Sequence, residues 1–321
     1  MKRMRSTPVA LTALLGLAAC KGGSAPDPIK LVPDAAKVMG AVDVKGLRAS
    51  KLYTDNKDKI ETGEYKEFEE AAKACNVDPN GFERAVFGAD PASEQFVITV
   101  VAKGIGKVEN IQCMADKAKE KGGEDDMKVV DKDGAKILEF DGGKGIGYPV
   151  GNDMLVVTSS GWAAAVKELI DGKGKAAVDG SLKDIVAKAP KDKHIWFAGV
   201  VTSDLAPAVA GSPLEPVKSV YGGIDLSKGL AATAGGLTDA PEKAAEIQKK
   251  LQEQFDQFKP MLAPMGVPEA VVNSIKIEAA DKEIKVSIAI SDEDLKTLQE
   301  KVAKMMGGAM GGRPPGPPSQ P

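Results

Sequence analysis

The sequence predicts an α+β protein of two divergent repeats, each an antiparallel sheet with packed helices. Three observations lead there. Apolar runs of strand length are separated by turns rich in Gly, Pro and Asp. Between some of them lie stretches whose apolar residues recur at helical spacing. The order of elements also recurs on either side of a small-residue stretch at 171–180 (DGKGKAAVDG). An order of strand, helices, strand pair, helix, hairpin and helix favours helices packed on antiparallel sheets.

In the first half, Pro33 precedes an alternating apolar run at 38–44; in the second, Pro190 precedes residues 194–202 (HIWFAGVVT). A helix is expected over 64–75, with Tyr65, Phe68, Ala72 and Cys75 as its apolar stripe and Glu67, Glu69 and Glu70 on a solvated face. Asn76-Val77-Asp78-Pro79 then turns into a strand at 84–88, and the matching corner Gly223-Ile224-Asp225-Leu226 leads into residues 229–237. A further strand covers 96–102. Val108, Ile111, Ala115 and Ala118 mark the next helix of the first half; Ile247, Leu251, Phe255 and Phe258 mark its counterpart. Each half then offers a hairpin. Residues 128–140 turn at Asp131-Lys132-Asp133-Gly134, where Asp and Gly tolerate positive φ, and residues 275–290 turn at 280–283. The first half adds a strand pair, 146–150 and 154–159, around Gly151-Asn152. An amphipathic helix closes each half, at 162–170 and 292–305. The offset between counterparts drifts along the chain, which fits a divergent duplication rather than a short-period solenoid.

The chain opens with Lys2, Arg3 and Arg5, an apolar run at 9–17 and then Leu17-Ala18-Ala19-Cys20. A charged start, a short apolar middle and small residues before a cut make a secretory signal. The run is too short to span a bilayer, which takes about 20 apolar residues. The cysteine after Leu-Ala-Ala resembles the lipobox of bacterial lipoproteins. That resemblance implies cleavage before Cys20 and three acyl chains on the new N-terminus, where stable anchoring takes two or more. It also implies, with Lys21 rather than Asp after the cysteine, sorting to the outer membrane. The expected location is the cell envelope, lipid-anchored at the outer membrane, facing the periplasm or exposed at the surface. The expected organisation is a signal peptide at 1–19, a tether at 20–29, repeat one at 30–170, a linker at 171–180, repeat two at 181–306 and a disordered Gly/Pro-rich tail at 307–321.

Losing the leader removes three cations, so the mature chain is more acidic than the formal −3 of the whole sequence, with 28% charged residues. Such a balance disfavours nucleic acid and anionic lipid surfaces as partners. Chemistry-bearing motifs are scarce. His194 is the single histidine and starts an apolar strand, so a structural role at the strand edge is expected of it. One histidine excludes histidine-rich metal sites and an HExxH helix, and no G-x-S-x-G elbow presents a serine to a triad. Gly104-Ile105-Gly106 lies where a dinucleotide loop would lie, but Glu109 stands in place of the third glycine. Residues 142–147 (GGKGIG) enter a strand rather than a helix. Asp131, Asp133 and Asp141 do not follow the spacing of a calcium loop and read as a solvated hairpin turn. No catalytic residue, metal, nucleotide or other cofactor is expected.

Once Cys20 is acylated, Cys75 and Cys113 are the thiols that remain, and the periplasm is oxidising. Cys75 ends an apolar stripe; Cys113 lies opposite the stripe of its own helix and needs a bridge or a covering helix. A disulfide is the expected outcome, gaining roughly 4 kcal/mol in the chain-entropy model; two buried, reduced thiols are the alternative.

With these residues placed, the chain resembles a family of myxobacterial two-repeat outer-membrane lipoproteins. The resemblance covers about residues 30–305 and rests on Leu31-Val32-Pro33-Asp34-Ala35, the corner Ala74-Cys75-Asn76-Val77-Asp78-Pro79, and Cys113 in the next helix. It implies an exported, lipid-anchored α+β protein and brings no catalytic residues with it. Two functions follow. The first is a non-catalytic envelope protein acting as a scaffold or assembly factor through a protein partner. The second is a carrier of a hydrophobic ligand held between sheet and helices. A carrier needs a sizeable apolar cavity, and 4% aromatics with many alanines point to tight packing instead.

Overall fold

The computed structural model describes residues 25–120, 127–132, 134–202 and 206–311. The signal peptide, Cys20, Asp133 and the last ten residues of the expected tail lie outside them.

The chain runs β1 (Val38–Asp43), α1 (Val44–Ala49), α2 (Lys51–Ile60), α3 (Glu64–Ala74), β2 (Phe82–Asp90), β3 (Gln95–Ala102) and α4 (Val108–Glu120). It continues through β4 (Lys128–Lys132), β5 (Ala135–Phe140), β6 (Gly145–Val150), β7 (Met154–Ser159), α5 (Ala163–Ile170) and α6 (Lys183–Lys188). The remainder is β8 (Ile195–Val200), α7 (Ala206–Val209), β9 (Ser219–Asp225), β10 (Leu230–Leu237), α8 (Pro241–Leu262), α9 (Glu269–Ser274), β11 (Lys276–Ala280), β12 (Glu283–Ile290) and α10 (Asp292–Gly311). Local chemistry sets several boundaries. Asp43 caps α1 by accepting the Gly46 N–H at 2.9 Å, and Ser50 caps α2 through the Tyr53 N–H at 3.2 Å. Pro241 opens α8, where a missing N–H costs nothing.

The expected α+β class holds, with one addition: the two sheets are joined. Antiparallel pairing of β1 with β8 makes a single 12-stranded sheet of order β11-β12-β10-β9-β8-β1-β2-β3-β7-β6-β5-β4. Outward from β1 and β8 the positions correspond as β2 with β9, β3 with β10, β7 with β12 and β6 with β11. Beyond β6 the sheet continues on the first-half side with β5 and β4. The corner expected at Gly223-Ile224-Asp225-Leu226 is corrected: Gly222 to Asp225 lie within a strand, β9.

One face of the sheet is sealed. Met39, Ala41, Val86, Val97, Val156, Trp196 and Ala198 alternate onto it and are almost wholly buried. Leu31 and Val32, Val166 and Leu169 of α5, and Leu182, Ile185 and Val186 around α6 cover them as one cluster. Part of the expected linker at 171–180 belongs to this cover. Ala176 and Ala177 are buried, the Ala177 N–H donates to Val32 O at 2.9 Å, and Pro33 bridges to Ala176. The closing helix α10 continues to Gly311, past Met305 and into the stretch expected to be tail.

Candidate functional site

The other face of the sheet is also apolar, and it is only partly covered. Strand registers align Ile98, Phe87, Gly40, Phe197, Gly222, Ala234 and Val286 as one row running from β3 to β12. Val38, Ala89 and Phe96 form part of the row on one side; Val42, Ala85 and Val100 form part of the row on the other. An antiparallel sheet with a solvated face normally alternates apolar with polar residues. Here both faces are apolar, yet Phe96 is 38% and Ile98 42% exposed, while Val97 between them is 1% exposed. A contiguous apolar area left open on a folded protein marks a place of contact with something else.

Helices cover the ends of this face differently. Over the first half, α3 and α4 lie on Val100 and Leu155, with Ala72, Val77, Ala102 and Ile105 packed between. The corner that positions α3 is a Schellman cap. Asn76 adopts φ 56°, the Val77 N–H donates to Ala72 O at 2.9 Å, and the Asn76 N–H donates to Lys73 O at 3.3 Å. Val77 and Ala72 then make the accompanying apolar contact. This geometry puts Cys75 within a Cα–Cα distance of 5.5 Å of Cys113, and the two form a disulfide joining α3 to α4.

Over the second half, α8 packs on β11 and β12, where Ile247 is buried with Val217 and Ile284, and covers the face only in part. Its stripe starts buried at Ala244 and Ile247, becomes half-buried at Leu251, and ends exposed at Phe258 (57%) and Met261 (50%). Between helix and sheet lies a cavity of about 400 Å³, walled by Phe197, Val217, Val220, Leu251, Ile284 and Val286. Ala234 and Gly236, opposite Val286 and Ile284 in the ladder, make part of its floor on the same face. Beside it, a side chain at Gly222 would meet the Phe197 ring at 2.7 Å, so that ring lies across the glycine. Neighbouring side chains occupy the space over the glycines, Tyr221 at Gly235 and Val217 with Ile284 at Gly236, and the cavity opens beside them. The signal was present in runs such as 96–102 and 195–201, which are apolar at both alternate positions rather than at every second one.

At one end of β9 and β12, Tyr221, Glu283 and Lys188 form a chain of contacts, the Tyr221 hydroxyl donating to Glu283 and Lys188 pairing with the same carboxylate. Burial pushes the Tyr221 phenol upward, reinforced by Glu283. Burial works to raise the Glu283 carboxyl, but hydrogen bonds from Lys188 and Tyr221 outweigh it and hold it below its ordinary range.

The residues weighed from sequence fall elsewhere. The Nδ1 of His194 accepts the Leu226 N–H at 3.0 Å, which leaves the proton of a neutral ring on Nε2 and ties the start of β8 to the end of β9. Asp225, 3.3 Å from that Nδ1, is held well below the usual carboxylate range, first by the Ser227 backbone N–H and then by the Ser227 side chain and Lys193. The Gly104-Ile105-Gly106 loop has no N–H left for a phosphate: Gly104 donates to Asp153 Oδ1 at 2.8 Å, Ile105 to Ala102 O at 3.1 Å and Gly106 to Asn152 O at 2.8 Å. Asp141 pairs with Lys144 at 3.0 Å, and Asp131 stands in β4. Glu69 pairs with Lys73 at 3.0 Å along α3. Among the described residues no group of three or more His, Cys, Asp or Glu is placed to hold a metal ion, and no helix is long and apolar enough to cross a membrane.

No protein-family model matches the chain, and neither does any curated protein sequence. Among solved structures, TP0453 in crystal form III aligns with a TM-score of 0.53 at 10% identity, over 85% of this chain and 97% of that one. The same protein in crystal form IV aligns at 0.50 with 8% identity, over 88% and 97%. At such identities the likeness is one of fold.

Proposed function

We propose that this chain is a lipid-anchored envelope protein that binds a hydrophobic ligand on the open face of its sheet. The observation that supports this reading is the apolar cavity under α8. Its volume of about 400 Å³ lies within the range of ligand pockets. At ~30 Å³ for a methylene, about the share of one water in the liquid, it holds a single acyl chain of roughly a dozen carbons. Burying those at about 0.8 kcal/mol each gives a gross gain of roughly 10 kcal/mol. Association costs about 4 kcal/mol or more of this, which leaves affinities of tens of micromolar or weaker.

The test is displacement of a fluorescent polyene fatty acid by dodecanoate from the purified mature chain. Saturable binding is expected, and Ala234→Phe, which fills the floor from an exposed strand position, should abolish it without lowering the melting temperature. Failure of the wild-type chain to bind either molecule removes the reading. The anchor is tested separately. Cys20→Ser should leave the precursor uncleaved or move the protein out of the lipidated, detergent-partitioning fraction.

A second reading, a scaffold that contacts another envelope protein, draws on the exposed Phe258, Met261 and Met265 at the far end of α8. It predicts that Phe258→Ser with Met261→Ser abolishes crosslinking to a partner in intact cells and leaves acyl-chain binding unchanged.

A further inference from the structure

The walls of the cavity under α8 leave a ligand's polar end nothing to bond with. The side chains of Phe197, Val217, Val220, Leu251, Ile284 and Val286 are hydrocarbon throughout. The strands beneath have a paired neighbour on each side: β9 lies between β8 and β10, β10 between β9 and β12, and β12 between β10 and β11. Their N–H and C=O groups are therefore spent in the ladders. Leu251 sits inside α8, where backbone groups bond along the helix. On the remaining wall the N–H groups are taken as well. Val201 donates to Lys218 O at 2.8 Å, Val217 to Leu214 O at 2.9 Å, and Leu214 to the Ser212 hydroxyl at 3.2 Å. Tyr221 carries the one polar side-chain atom among the residues lining the cavity, and its hydroxyl donates to Glu283. Ligand pockets normally place a few polar groups that fix the orientation of what they hold. Among the described residues this cavity has none to spare.

We propose that the site recognises the alkyl tail of a single-chain amphiphile and leaves the head group outside, whatever that head is. This rests on the ligand-binding function proposed for the same cavity and narrows it: the class is set by the chain, not by a carboxylate. An ionised head drawn inside would meet neither donor nor counter-ion, and its desolvation would cost more than the tail gains. A head kept at the mouth is hydrated in the bound and the free state alike, so it drops out of the affinity. What remains is the length of tail under cover. Each methylene added within the cavity should tighten binding about fourfold. Beyond roughly a dozen carbons, the capacity of about 400 Å³ at ~30 Å³ each, further chain lies outside and adds little.

The experiment is displacement of the fluorescent polyene fatty acid from the mature chain, below micelle-forming concentrations, by dodecanoate, dodecanol, dodecylphosphocholine and dodecyl maltoside. Midpoints within about threefold of one another are expected. Octyl, decyl and dodecyl maltosides should tighten by the step per methylene, and tetradecyl maltoside should gain little over dodecyl. Tyr221→Phe keeps the ring and deletes the hydroxyl, and it should leave every midpoint within about threefold of the native chain. Dodecanoate binding about tenfold or more tighter than the neutral and zwitterionic chains would overturn the proposal while leaving the ligand-binding function intact, since a head would then be recognised. Affinity that stays level from octyl to dodecyl would overturn it too, and so would a loss in Tyr221→Phe confined to dodecanoate, which would identify the hydroxyl as a donor to the head. Failure of the probe and of every competitor to bind is the distinct outcome that removes the ligand-binding function and the proposal with it.

Discussion

Val97 and Ile98 are adjacent in β3, both β-branched and apolar, and they sit in opposite environments. Val97 is 1% exposed under α5 and its neighbours; Ile98 is 42% exposed on the open face. The same contrast runs across the centre of the sheet, with Met39, Val86 and Trp196 sealed and Val38, Phe87 and Phe197 half-buried. Alternation in a strand therefore reports which residues share a face, not whether that face is covered. Coverage is decided by segments distant in sequence: Leu31 and Val32, and the stretch from Ala176 to Val186, lie over one side, whereas α8 leaves a gap over the other.

This contrast can be tested, starting from the largest effect. The disulfide fixes the cover that α3 and α4 place over one end of the open face. Cys75→Ser with Cys113→Ser should lower the unfolding free energy by roughly 4 kcal/mol or somewhat less, read from urea midpoints, because the bridge closes a loop spanning a 38-residue separation. A loss below about 1 kcal/mol would mean that helix packing alone holds the cover.

Val97→Thr buries a hydroxyl in a sealed apolar cluster and should cost about 1–3 kcal/mol. The same change at Ile98 is the informative partner. On an open face it should fall within about 0.5 kcal/mol of the native chain. An equal cost at both positions would show that the open face is covered in solution.

Between these in size lies a pH effect on the sealed side. Asp34 accepts the Ser181 N–H and pairs with Lys175 at 3.2 Å, which fastens the segment before β1 to the segment before α6. The backbone hydrogen bond from Ser181, with Lys175, holds its carboxyl below the ordinary range although burial opposes the shift. A depressed folded value means that its stabilising contribution is complete above the unfolded-state pKa near ~3.9 and is lost as pH falls through the folded value. Asp34→Asn should therefore flatten the acid limb of stability against pH and change little at neutrality beyond the lost ion pair. Its size stays under about 1 kcal/mol because solvent screens the pair.

Much of the fold was legible because local chemistry specified it. The strands at 38–44, 96–102 and 154–159, the helices marked by Ile111 and Ile247, and the hairpin at 275–290 all stand where periodicity and turn residues put them. The pairing of Cys75 with Cys113 followed from a thiol on the outer side of a helix, which needs a neighbour. What was not legible lies between distant segments. Gly222 and Gly223 concealed β9, because glycine carries no side chain to signal a face. The cavity depends on how α8, packed through Ile247 on Ile284, leaves Ala234 and Val286 beside it uncovered, and no spacing along the chain encodes that placement. Arg84 and Asp43 would have been paired on cross-strand grounds; the cap on α1 takes the carboxylate first.

The pairing of β1 with β8 carries a consequence for how the molecule is made. Gly40 meets Phe87 on one side and Phe197 on the other, so the strand at the middle of the sheet waits for a partner from the far half of the chain. Contacts of such long sequence separation are slow to form, since the entropy of closing the loop is spent before they repay it. A chain emerging from its N-terminus first presents β1 as an open edge, with unpaired N–H and C=O groups and an apolar surface on both sides. Whatever receives the nascent protein has to shield that edge until β8 arrives, and the interval between the two is the period in which two unfinished copies could pair with each other.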